Sequence, residues 1–169
     1  VLAAVARIGE TLADRDVRVK VDDRTETSFG RRATDWELKG IPVRIEVGPR
    51  DLANQEVTLV RRDTSDKQQA RISDLAVVVP GLLDLIQGDM LRAATALRDD
   101  RTADVTTIDE AREAAQTGFA RIPWATLGEE GEAVLAKDAI TVRCLQTPDG
   151  AVPASEDADG VMAVVARAY

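Results

Sequence analysis

Alternating helical and strand periods predict an α/β chain made of two parts. Three observations carry this. Leu2, Val5, Ile8 and Leu12 recur on one helical stripe. Ile41, Val43, Ile45 and Val47 alternate with Pro42, Arg44 and Glu46, the two-residue period of a strand. The two periods then exchange repeatedly along 169 residues, and the polar stretch Asp99–Asp104 divides them. The boundaries that follow are residues 1–101, ending in a long connecting helix, and residues 102–169.

Residues 2–13 form an amphipathic helix. Val17, Val19 and Val21 alternate with Arg18 and Lys20 and predict a half-buried strand. Residues 22–32 are polar, contain Gly30 and read as a loop. A short helix over 33–39 is stopped by Gly40 and Pro42. After the strand 41–47, Gly48-Pro49-Arg50-Asp51 opens a helical turn with Pro49 in its first positions. Val57–Arg61 is a strand, Asp63-Thr64-Ser65-Asp66 a turn, and Gln69–Ile72 its hairpin return. A helix from Asp74 to Asp100 presents Leu82, Ile86, Met90, Ala93 and Leu97, with a kink or restart at Pro80-Gly81. Thr107 and Glu110 make a capping box for a helix to about Gln116. Strands at Phe119–Ile122, Ile140–Leu145 and Met162–Ala168, a helix at Glu130–Lys137 and a polar loop at 147–160 complete the chain.

Composition removes several chemistries. There is no His, so no Ser-His-Asp triad, Cys-His pair or His-ligated metal forms. Cys144 is the one Cys, so no intrachain disulfide and no four-thiolate zinc site forms. In the strand Thr141-Val142-Arg143-Cys144 the alternation predicts a buried thiol. The acidic loop residues Asp149, Glu156, Asp157 and Asp159 lack the calcium-loop pattern. No run of about 20 apolar residues exists to span a bilayer, and no secretory signal opens the chain. The start at Val1 rather than Met suggests a piece of something longer, and the cysteine usage fits a reducing cytoplasm.

The net charge of −8 argues at first against nucleic acid, but it is unevenly placed. Residues 1–72 carry 14 basic and 13 acidic side chains, and residues 73–169 carry 8 and 17. A phosphate-binding surface is therefore a local patch in the first half.

The segment DWELKGIPVRIEVGPRDL, Asp35–Leu52, resembles the anticodon-binding domain of class II aminoacyl-tRNA synthetases. Within that group the chain is similar to prolyl-tRNA synthetase of the archaeal/eukaryotic type. VRVKVDDR (Val17–Arg24), Gly30, LVRRDTSDK (Leu59–Lys67), TIDEAREAAQTGFARIPW (Thr107–Trp124) and TVRC (Thr141–Cys144) follow in the expected order, and the chain ends in Ala168-Tyr169. The resemblance implies a mixed-sheet anticodon-binding domain followed by a small α/β C-terminal domain. It implies that the first strand of the first domain, and the catalytic domain with its ATP and Mg, lie upstream of Val1. It implies a tRNA(Pro) partner and a homodimeric, cytoplasmic parent ligase that charges tRNA with proline, with neither DNA nor a membrane as partner. Many members hold zinc on four cysteines in the C-terminal domain. This chain lacks them, so no zinc is expected.

The resemblance also implies that Glu37, Arg44 and Arg50 contact the second and third anticodon bases. From the residues alone, Glu37 reads as a solvated helix carboxylate and Arg44 as a cross-strand salt-bridge partner. A carboxylate suits guanine's N1–H and N2–H donors, and a guanidinium suits O6 and N7. Arg31 and Arg32 suit phosphate or the free surface equally. Arg61, Arg62 and Lys67 could track an RNA backbone or pair with Asp63 and Asp66. Trp36 reads as a core anchor. Ala33 stands where family members often carry an aromatic, leaving weaker binding or stacking by Arg31 or Arg32 as the alternatives. Rival readings are the equivalent domain of a threonyl-, glycyl- or histidyl-tRNA synthetase, disfavoured by TVRC and the Ala168-Tyr169 end, and an interaction module that no longer binds tRNA.

Overall fold

The computed structural model describes residues 1–168. Internal contacts divide the chain into Val1–Arg92 and Ala93–Tyr169.

The first unit holds helices α1 (Leu2–Ala13), α2 (Phe29–Leu38) and α3 (Pro49–Ala53), and strands β1 (Val43–Glu46), β2 (Glu56–Arg61) and β3 (Lys67–Arg71). A 3-10 turn at Ile72–Asp74 leads into α4 (Leu75–Asp100), which runs through the division between units. The strands form an antiparallel sheet in the order β1-β2-β3. Alternation sends Val43, Ile45, Val57, Leu59 and Ala70 to one face. There they meet Ile8 and Leu12 of α1 and Leu75, Val79, Leu82 and Ile86 of α4 in one core. The opposite face carries Arg44, Glu46, Thr58, Lys67 and Gln69.

Several expectations change here. Val17–Val21 enters no sheet, although Val17 packs against the core and Val19 and Val21 lie over Gly9. Its alternation is real, but no strand among the described residues pairs with it. Helix α2 starts at Phe29, four residues earlier than expected, with Gly30 inside it. Helix α4 continues through Pro80-Gly81 as one helix. Its stripe packs only as far as Ile86, and Met90 and Leu97 are exposed. Trp36 is half-buried and lies outside the core cluster.

The second unit holds β4 (Thr102–Asp104), α5 (Ile108–Ala114), β5 (Phe119–Pro123), α6 (Trp124–Leu135), β6 (Ile140–Gln146) and β7 (Met162–Arg167). Its sheet order is β4-β5-β7-β6, with β4 and β5 parallel and the other pairs antiparallel. The stretch read as a polar boundary therefore contains a strand. The Thr107–Glu110 capping box is formed in full, fixing the start of α5. Helix α6 begins at Trp124 and bends where Gly128 takes a φ of 52°. Ala111, Ala115, Leu127 and Leu135 pack on Ala120, Ile122, Ile140, Ala163 and Val165. Cys144 is exposed, not buried. A bulge between Val142 and Cys144 inserts one residue and reverses which way the following side chains point.

Candidate nucleic-acid interface

The outward face of the first sheet is where the charged candidates meet. Arg44 and Glu46 are two residues apart on β1, so they share a face. Arg44 Nε donates to Glu46 at 3.0 Å, and its Nη1 donates to Glu37 on α2 at 2.5 Å. Lys67 Nζ of β3 lies 3.7 Å from the other oxygen of Glu46. The result is a line of alternating charge, Glu37–Arg44–Glu46–Lys67. The Glu37 side chain is 48% exposed and that of Arg44 21%, so the pair faces solvent. Burial disfavours the charge on Arg44, but the hydrogen bonds to Glu37 and Glu46 outweigh it and push its pKa up. The guanidinium is held charged and oriented.

Helix α2 brings Glu37 there because of how it ends. Gly40 has a φ of 80°, a left-handed conformation that suits glycine. Gly40 N–H donates to the Glu37 carbonyl at 3.0 Å and Ile41 N–H to the Trp36 carbonyl at 3.1 Å. This is a Schellman end, which turns the chain directly into β1. The other side of α2 is fixed by Asp22. Its carboxylate accepts from Arg24 Nη2 and Trp36 Nε1, both at 2.7 Å. The Arg24 hydrogen bonds, opposed by burial and helped by Trp36, hold the Asp22 carboxyl far below the usual carboxylate range. Lys39 Nζ sits 4.4 Å from the centroid of the Trp36 ring, a cation–π contact. Trp36 is thus a polar-anchored clamp rather than a core plug.

Arg50 is exposed in the first turn of α3, and its side chain makes no hydrogen bond or ion pair among the described residues. No interaction joins it to the Glu37–Arg44 pair. Arg31 is exposed and lines a shallow polar hollow with Arg24, Ser28 and Asp35. Arg32 donates to the Asp22 carbonyl at 3.3 Å and is turned inward, its Nε buried without a partner. Arg61 lies between Asp63 at 2.6 Å and Asp89 at 2.7 Å, with only 13% of its side chain exposed. The hydrogen bonds it donates to those carboxylates raise its pKa. Arg62 is exposed. Glu46 joins the site through a spacing readable in the sequence, two residues from Arg44 on one strand. Asp22 left no signal, since its partner Trp36 is 14 residues away.

The second unit does not fit a thiolate zinc site. It has one Cys and no His, and no group of three or more His, Cys, Asp or Glu gathers among the described residues.

The family described as "Anticodon binding domain" matches residues 1–82, which include α2, β1, α3 and every charged candidate above. The whole chain is 58% identical to part of the proline–tRNA ligase of Frankia alni and 55% identical to part of proline–tRNA ligase 2 of Streptomyces avermitilis. In each case it covers 36% of the relative, so it spans about a third of those proteins. A crystal structure of prolyl-tRNA synthetase from Cryptosporidium parvum, complexed with L-proline and AMP, matches 99% of this chain and 37% of its own. The TM-score is 0.82 at 26% identity. Residues 1–82 thus match the anticodon binding domain family, and over its whole length the chain is similar to about a third of several proline–tRNA ligases.

Proposed function

We propose that this chain selects tRNA(Pro) by its anticodon, within a ligase that charges that tRNA with proline in an ATP-dependent reaction. The catalytic domain with its ATP and Mg, the homodimeric state and the cytoplasmic setting belong to this proposal. So does the absence of zinc, which a stoichiometric zinc content in the purified chain would overturn.

The observation that carries the reading is the solvent-facing Glu37–Arg44 pair on the matched domain. Proline anticodons end in two guanines. Glu37 accepts from N1–H and N2–H of one guanine, and Arg44 donates to O6 and N7 of a guanine. When Glu37 turns to a base, Arg44 keeps Glu46 as its partner at 3.0 Å and remains oriented. Arg50, exposed one element away, supplies a further donor. Arg31 and Arg62 are exposed, which suits phosphate contacts that carry no base information. Arg32 and Arg61, held by Asp22 and by Asp63 with Asp89, position the surface more than they reach out.

Titration with proline tRNA transcripts tests this. Glu37→Ala and Arg44→Ala are each expected to weaken binding by ~1–3 kcal/mol and to lower the preference for the two guanines. Arg62→Ala should weaken all transcripts alike and flatten the salt dependence. Unchanged affinity and unchanged guanine preference in both site variants would remove the pair from the reading.

A further inference from the structure

Phe29 stands out on the same surface. It is one of two Phe residues in the chain, and it is 53% exposed. It opens α2, with Ala33 and Glu37 following at intervals of four, so the three share one side of the helix. That side faces Arg44. The Arg44 guanidinium carbon lies 6.0 Å from the Phe29 ring centroid, and its Nη1 is hydrogen-bonded to Glu37. At 6.0 Å the ring is at the outer limit of cation–π attraction. Arg44 lies over the ring at that range, and Phe29 remains 53% exposed beside the polar groups that would hold a base edge. Ala33, between Phe29 and Glu37, has no bulk to fill the space.

We propose that Phe29 is a stacking platform for an unstacked anticodon base whose edge is held by Arg44 or Glu37. This inference rests on the anticodon reading of the same surface. An aromatic face stacks on any base, so Phe29 contributes affinity, while the charged pair contributes discrimination. Stacking also requires a π-face and not merely an apolar side chain.

The test uses the chain with a proline tRNA anticodon stem-loop, and with stem-loops in which either guanine is replaced. Phe29→Leu is expected to raise Kd about 5- to 150-fold for every stem-loop by a common factor, leaving the guanine preference and the salt slope as they were. Phe29→Trp is expected to restore binding. A 2-aminopurine probe in the anticodon should be quenched on binding by the original chain and by Phe29→Trp, and much less by Phe29→Leu at saturating protein. Circular dichroism of each variant establishes that α2 and the sheet are intact. Equal affinity and equal quenching in Phe29→Leu would overturn the stacking role, with the Glu37 and Arg44 results unaffected. Loss of guanine preference in Phe29→Leu would also overturn it, showing a positioning role instead. If the original chain ignores the guanines, the anticodon reading fails first and this inference fails with it.

Discussion

Asp22 shows how one carboxylate can fix a surface it does not belong to. It ties the loop after α1 to α2 through Arg24 and Trp36, with distances of 2.7–3.1 Å. Its folded pKa lies below its unfolded value, chiefly because of Arg24. The charged form is thus favoured by folding. That stabilisation is present above the unfolded Asp pKa of about 3.9, and it is lost as pH falls through the folded value. Asp22→Asn is expected to cost about 1 kcal/mol at pH 7, a modest figure because Arg24 is 42% exposed and solvent screens the pair. The difference between original and variant should shrink in strong acid. Urea unfolding from pH 7 to pH 2 measures it, and coincident curves at pH 7 would show that Asp22 holds nothing. At this scale the sequence was legible wherever neighbours lie on one element. Glu46 and Arg44 share a strand face by simple counting. Asp22 and Trp36 meet only because of a loop path that no local pattern encodes.

Among the elements, β4 and β5 are joined by a close backbone approach. A Cβ on Gly118 would sit 2.3 Å from the Arg101 carbonyl oxygen, the same oxygen that accepts from Phe119 N–H at 2.8 Å. Gly118→Ala must push the two strands apart and is expected to destabilise the second unit by ~1–3 kcal/mol. Gly81 is the contrast. It lies inside α4, and a methyl group there would meet no atom within 4 Å, so Gly81→Ala should stabilise by up to about 1 kcal/mol. Thermal or urea melts of both variants read the opposite signs, and a neutral Gly118→Ala would show that the strands can part freely. Elements with strong local signals were legible: α1, the α5 capping box and the β2–β3 hairpin all follow from their residues. Val17–Val21 has the strand pattern without a ladder, because a strand needs a partner as well as a period. Strand β4 is three polar-flanked residues whose conformation comes from pairing with β5. The burial of α4 stops at Ile86, because an apolar stripe tells which side packs but not how far its partner extends.

For the molecule as a whole, net acidity and the candidate surface are separated along the chain. The excess negative charge lies after residue 72, while the candidate surface lies before it. The bulge in β6 has a practical consequence for any claim about assembly. It turns the sole sulfhydryl outward, where dissolved oxygen can take two hydrogens from two copies and leave them covalently joined. Such a pair runs at twice the mass on a gel without dithiothreitol and vanishes in Cys144→Ser. Association that survives both treatments belongs to the fold, and association that disappears was made in the tube.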